Sequence, residues 1–72
     1  MARVAITTTT DRGTRTEHWN TSYVDARSIV AHYVISNGLR RDAYTDAETL
    51  FRDGVAVGHY VISRYYRPDS GR

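Results

Sequence analysis

Residues 43–66, AYTDAETLFRDGVAVGHYVISRYY, decide how this chain is read. Two runs rich in β-branched and aromatic residues, 43–52 and 55–66, flank Asp53-Gly54, a residue pair suited to a two-residue hairpin turn because both positions must accept positive φ. The stretch is therefore expected to supply strands three and four of a sheet. The hairpin is preferred over a rival reading in which Thr45-Asp46-Ala47-Glu48 is a capping box and Gly54 ends a short helix. If the second run is extended as far as Tyr66 it reaches about 40 Å, more than so small a domain needs, and its end is expected to protrude. Residues 68–72 then read as a flexible tail.

Upstream, Asn37-Gly38 offers a left-handed helix C-cap with Leu39 placed to fold back on the last turn. Thr21 and Ser22 offer an N-cap, with Asp25 at the positive end of the helix dipole. Between these signals Ala26, Ile29, Val30, Tyr33 and Val34 recur at helical spacing, which places one helix over roughly residues 22–37. Nearer the N-terminus, residues 3–10 and 14–19 are rich in threonine and β-branched side chains around Asp11-Arg12-Gly13, and read as a first hairpin. Val4 and Ile6 share one face of its first strand, and Ala5, Thr7 and Thr9 share the other. The order is ββαββ, an α+β single domain over residues 1–72 with a four-stranded antiparallel sheet and one helix packed on one face.

The pentapeptide His-Tyr-Val-Ile-Ser occurs twice, at 32–36 in the expected helix and at 59–63 in the expected strand. The flanks diverge, so the match reads as coincidence; otherwise one of the two assignments is wrong.

Seventy-two residues fit one domain near the lower size limit for folding without staples, and leave no room for a second. The absence of cysteine excludes disulfides, thiolate zinc sites and thiol nucleophiles. Met1 to Ile6 lack the apolar core of a signal peptide and no run approaches membrane-spanning length, so a cytoplasmic, membrane-free setting is expected. A core this small rarely supplies more than about 3 to 5 kcal/mol, which makes a homodimer a natural supplement. The net charge is +2, from ten arginines and no lysine against eight carboxylates. GC-rich codon usage produces that bias unaided. The planar guanidinium, suited to phosphate, carboxylate and aromatic faces, gives it a second, functional reading.

His18, His32 and His59 have no metal-ligand spacing, and no nucleophile elbow or phosphate loop is present. His59 and Ser63 share a strand face, a routine coincidence of alternation. Neither catalysis, nor a metal, nor a cofactor is expected. The Arg and Tyr residues say more: Arg64-Tyr65-Tyr66-Arg67 close the last run and Arg40-Arg41 follow the helix. Both residue types combine contact area with hydrogen bonding and dominate protein-interface hot spots. The plainer alternative is that Tyr33, Tyr60 and Tyr65 close the core, with the arginines as its solvated rim. On the helix, Val24, Ala31 and Ile35 line a second apolar side, where a helix on one sheet needs only one. Candidate protein-binding residues are thus Tyr60, Arg64, Tyr65, Tyr66, Arg67, Val24 and Ile35. In the competing nucleic-acid reading, Arg12, Arg15, Arg40, Arg41, Arg64 and Arg67 contact phosphates while tyrosines stack on bases, an idea weakened by the eight acidic residues.

A threonine-rich hairpin, Asn20-Thr21-Ser22 opening a helix, Asn37-Gly38 closing it and the Asp53-Gly54 hairpin give a layout that resembles small phage-encoded anti-CRISPR proteins over nearly the whole chain. The resemblance lies in element order. It implies a non-enzymatic inhibitor, in a bacterial or phage-infected bacterial cytoplasm, that binds a guide-RNA effector complex and keeps target DNA away. Inhibitors that mimic DNA are strongly acidic whereas this chain is slightly basic, so the resemblance implies occlusion through Tyr and Arg contacts. The overall expectation is a small protein-binding module whose partner is another protein, a protein–nucleic acid complex or a second copy of itself. Direct nucleic-acid binding is the alternative.

Overall fold

Threonine and β-branched residues favour the pleated, half-buried surface of a strand, and the first hairpin follows from them. Strands β1 (Ala2–Thr10) and β2 (Gly13–Thr21) pair antiparallel without interruption, from Thr10 opposite Gly13 to Ala2 opposite Thr21. The computed structural model describes residues 1–67, so the tail expected over 68–72 lies outside the described residues. Along β1 the two-residue period is plain: Ala2, Val4 and Ile6 are buried while Ala5 and Thr7 are half-covered. On the opposite face the hydroxyls of Thr7 and Thr16 meet at 2.9 Å and those of Thr9 and Thr14 at 3.0 Å, tying the two strands side chain to side chain.

Helix α1 (Tyr23–Ser36) begins and ends where its caps dictate. The Ser22 hydroxyl accepts the Asp25 N–H at 3.1 Å, satisfying one of the free donors of the first turn. At the other end Gly38 takes φ +65°, and the N–H groups of Gly38 and Leu39 donate to the carbonyls of Ile35 and Val34 at 3.2 and 2.9 Å. This is the Schellman arrangement, with Leu39 buried as Val34 is, the apolar contact that usually accompanies it. Ala26, Val30 and Val34 form the buried stripe; Ile29 and Tyr33 are half-covered.

Strands β3 (Ala47–Arg52) and β4 (Val55–Ser63) are joined by Asp53 and Gly54, at φ +52° and +81°. The hairpin reading of residues 45–53 holds and the short helix does not form. The sheet order is β2-β1-β4-β3, antiparallel throughout. Helix α1 thus carries the chain over one face from one edge to the other, and β4 returns to the middle to pair with β1. The core between helix and sheet holds Ala2, Val4, Ile6, Ala26, Val30, Val34, Leu39, Leu50, Tyr60 and Ile62. Both copies of His-Tyr-Val-Ile-Ser keep their separate assignments, one helical and one extended.

Two boundaries differ from the sequence reading by three residues or more. Strand β3 starts at Ala47 and not at Ala43: the Asp46 carbonyl still accepts the Ile62 N–H at 2.7 Å in ladder register, but the Thr45 carbonyl is taken by the Tyr60 hydroxyl, which draws the chain before it off the strand path. Strand β4 stops at Ser63, so no strand end protrudes as far as Tyr66. Its partner β1 is nearly exhausted there, with Arg3 opposite Ser63. Arg64 is drawn aside to Asp46 at 2.6 Å, and Tyr66 folds back over Arg3.

Between Leu50 and Phe51 the β3–β4 register shifts, leaving Val57 as an extra residue on β4. Next to this bulge Gly58 lies opposite Thr8, so close to β1 that any Cβ would overlap the Thr7 carbonyl oxygen. Gly58→Ala is therefore expected to destabilise the domain by about 1 to 3 kcal/mol through forced displacement of the central strand pair. Urea denaturation of the two proteins measures it, and an unchanged midpoint would show that β1 yields freely.

Candidate functional site

The surface that gathers most of the polar aromatic residues is built outward from one buried phenol. Tyr60, expected from the sequence to be a contact residue, is fully buried, because its place on β4 faces the helix between Ile6 on β1 and Glu48 on β3. Its hydroxyl donates to the Thr45 carbonyl at 2.7 Å and accepts from the Arg41 guanidinium at 3.2 Å. Tyr60 thus anchors the segment that follows the helix from below. Arg41, so held, stacks 4.4 Å from the ring centre of Tyr44, which is 68% exposed.

At the end of that segment Asp46 is a junction. It accepts a hydrogen bond from the Tyr23 hydroxyl at 2.5 Å and from Arg64 Nε at 2.6 Å, with Arg27 Nη1 at 3.8 Å. Arg64 also lies over the Tyr23 ring at 4.4 Å. Arg27, one helical turn after Tyr23, donates to the Tyr23 hydroxyl at 3.1 Å and to the Tyr44 carbonyl at 3.0 Å. The cluster therefore links the first turn of α1, the loop before β3 and the residue after β4. The Tyr23 hydroxyl, and after it Arg64, hold the Asp46 carboxyl below its ordinary range. In return Asp46 raises the Arg64 guanidinium, while the Tyr23 hydroxyl raises that of Arg27.

Alongside runs a groove between α1 and the loop, lined by Ala31 and Ile35 on one side and Leu39, Arg41 and Tyr44 on the other. The second apolar side of the helix is present: Val24 and Ile35 are 72% and 80% exposed, and Ala31 between them is half-covered. Of the other sequence candidates, Arg64 belongs to the cluster, and Tyr65 follows it, 89% exposed. Tyr66 is turned away, its ring under Arg3 at 4.7 Å and its hydroxyl bonded to the same side chain; Arg67 is exposed.

The six arginines of the nucleic-acid reading do not form one track. Arg12 sits in the first hairpin turn, Arg15 faces Glu17 at 3.6 Å, and Arg40 pairs through its backbone with Phe51. Arg64 is at the opposite end of the sheet, a strand length of about 27 Å from that turn. Tyr23, Arg27, Tyr44 and Asp46 are the members that sequence reasoning missed. Only the i, i+4 spacing of Tyr23 and Arg27 pointed to a contact; the reach from residue 23 to residues 46 and 64 leaves no local trace.

Among the described residues no group of three or more His, Cys, Asp or Glu side chains is placed to hold a metal ion. No helix among them is long and apolar enough to cross a membrane. Comparison with protein-family models, with curated proteins and with solved structures finds no match to this chain.

A carboxyl with a lowered folded-state pKa stabilises the fold above its unfolded value, near 3.9, and loses that contribution as pH falls through the folded value. Asp46→Asn is accordingly expected to be less stable than the wild type at about pH 7. The gap should close in acid, where the wild-type carboxyl is itself protonated. Urea midpoints across the acid range test this; a gap independent of pH would mean that the carboxylate charge plays no part.

Proposed function

We propose that this chain is a protein-binding module that works through the groove and the Arg–Tyr cluster on the outer side of α1. The observation that carries the reading is that the arginines of the cluster are already engaged. Arg27, Arg41 and Arg64 lie against tyrosine rings, and two of them share Asp46. A phosphate-binding surface depends on guanidinium groups free to turn to phosphates, whereas here Arg27, Arg41 and Arg64 are laid on tyrosine rings and two of them are held at Asp46. What faces water is a set of Arg–Tyr stacks beside exposed Val24, Ile35 and Tyr65. Side chains fixed in advance lose little freedom on binding, and Tyr and Arg are the residues that make such contacts count.

In this reading the protein is a non-enzymatic, cytoplasmic binder. The partner proposed from the sequence's resemblance to small phage inhibitors is a bacterial nucleic-acid-targeting complex whose nucleic-acid surface the module would cover. The slightly basic net charge suits occlusion by direct contact and not imitation of a phosphate backbone.

Ile35→Gln and Tyr44→Ala change exposed side chains without placing a carboxylate at the helix C-terminus, so each should alter stability by no more than about 1 kcal/mol. Together they are expected to weaken partner binding by about 2 kcal/mol or more. Affinity capture from a bacterial host lysate should yield a stoichiometric protein partner with the wild type and lose it with the double variant. Labelled single-stranded DNA should show no binding at low salt. Salt-sensitive DNA binding, retained by the double variant, would overturn the proposal.

A further inference from the structure

The two edges of the sheet are treated differently. Strand β3 is short, its register is broken at Leu50/Phe51, and Phe51 exchanges both backbone hydrogen bonds with Arg40 at 2.8 Å. These are ordinary means of blocking an edge against further pairing. Strand β2 has none of them: nine residues in unbroken register, with neither proline nor bulge. The two-residue turn closes on Thr10 and Gly13, so alternate residues from Gly13 bond to β1, and Thr14, Thr16, His18 and Asn20 direct N–H and C=O outward. On the helix side of the same edge Trp19, Ile29 and Tyr33 line an apolar groove, with the Trp19 and Tyr33 rings edge to face at 6.5 Å.

We propose that β2 pairs antiparallel with β2 of a second copy of the chain about a twofold axis at Thr16, fusing the two sheets and bringing the two apolar grooves together on the helix face. The register follows from charge. A ladder forms only where outward-facing residues meet outward-facing residues, which limits the positions of the axis. An axis at Arg15 sets Arg15 against the second copy's Arg15, and an axis at Glu17 sets two carboxylates face to face. Axes at Thr14 or His18 run the ladder into the hairpin turn or the helix cap and pair no opposite charges.

An axis at Thr16 sets Arg15, 3.6 Å from Glu17 of its own strand, against the second copy's Glu17 and Glu17 against the second copy's Arg15, so that the two exposed pairs join in one alternating group of four charges. Both contacts between copies fall in non-hydrogen-bonded pairs, where Cα atoms approach to about 4.5 Å and side chains interact most. It also sets Trp19 against the second copy's Gly13, where no atom stands within 4 Å of a Cβ position, leaving room for the indole. On the other face Thr16 meets the second copy's Thr16, extending the row of hydroxyls that begins at Thr7. Such self-complementarity selects another copy of this chain over an unrelated extended peptide. The groove and cluster proposed to bind a partner lie toward the β3 side and stay open in the dimer, so the two proposals stand or fall separately.

Sedimentation equilibrium of the full chain should give a concentration-dependent mass rising from 8.2 kDa to twice that value. Arg15→Glu should loosen the dimer about tenfold or more, and Arg15→Glu/Glu17→Arg should restore it, since the pairs are then merely exchanged. Because the chain has no cysteine, single-cysteine variants report the register. Thr16→Cys places two thiols across a hydrogen-bonded pair with Cα atoms about 5.5 Å apart, within disulfide reach, and should oxidise to a covalent dimer. Thr14→Cys, opposite the second copy's His18, should not. Circular dichroism checks that each variant is folded. A monomer at every concentration, a Thr14→Cys dimer formed as readily as the Thr16→Cys one, a double swap without rescue, or capture of an unrelated peptide at this edge would each overturn the proposal.

Discussion

The hydrogen bond from the buried Tyr60 phenol to the Thr45 carbonyl holds the rest of this structure in order. Strand β4 lies between β1 and β3, so the Tyr60 ring sits at the middle of the sheet beneath the helix, while its hydroxyl reaches the rim. A buried hydroxyl left without a partner costs about 1 to 3 kcal/mol, so the loop after the helix is constrained to pass where Thr45 and Arg41 can serve it. Once that path is set, Arg41 comes to lie on Tyr44, and Asp46 comes within reach of Tyr23, Arg27 and Arg64. The exposed surface is in this sense a second layer laid over a core interaction.

Local signals made the fold legible because the physics behind them is local. Ser22, Asp25, Asn37, Gly38 and Leu39 mark the helix ends through hydrogen bonds and dihedral preferences that span a few residues, and all act as their chemistry predicts. Asp53-Gly54 is legible for the same reason. The limits of this legibility are shown by His-Tyr-Val-Ile-Ser. In α1 the pentapeptide buries Val34 and exposes Ile35; in β4 it buries Tyr60 and Ile62 and exposes Val61. Period and neighbours, not composition, decide which side chains enter the core. The same limit explains the misplacement of Tyr60 among contact residues and the early start assigned to β3. Both depend on hydrogen bonds to groups fifteen or so residues away. The Asp46 cluster was invisible for that reason too, although Arg64 itself was picked out by its aromatic neighbours.

One helix covers one face of a four-stranded sheet, and the composition of the other face answers that constraint. By register, Ala5, Thr7 and Thr9 on β1 stand beside Thr14, Thr16 and His18 on β2 and His59 and Val61 on β4. Threonine keeps the branched Cβ that suits a strand while presenting a hydroxyl to water. Paired hydroxyls at Thr7–Thr16 and Thr9–Thr14 satisfy one another across the strands. The result is a sheet face that can stay wet without a large apolar patch, which lets a chain of this length dispense with a second covering layer.

The central pairing of β1 with β4 joins strands from opposite ends of the described chain, running from Thr8 opposite Gly58 to Arg3 opposite Ser63. Each hairpin can close quickly on its own, since its turn needs only two residues, but the pair that unites them must close a loop of most of the sequence. Such distant contacts slow folding, because loop entropy is lost before the contacts reward it. During synthesis, the first hairpin and α1 emerge with Val4, Ile6 and Val30 lacking their partners on β4 until residues up to about Ser63 have cleared the ribosome. A nascent chain of this protein is therefore a half-built sheet with an open central edge, and its safe passage depends on how soon β4 follows.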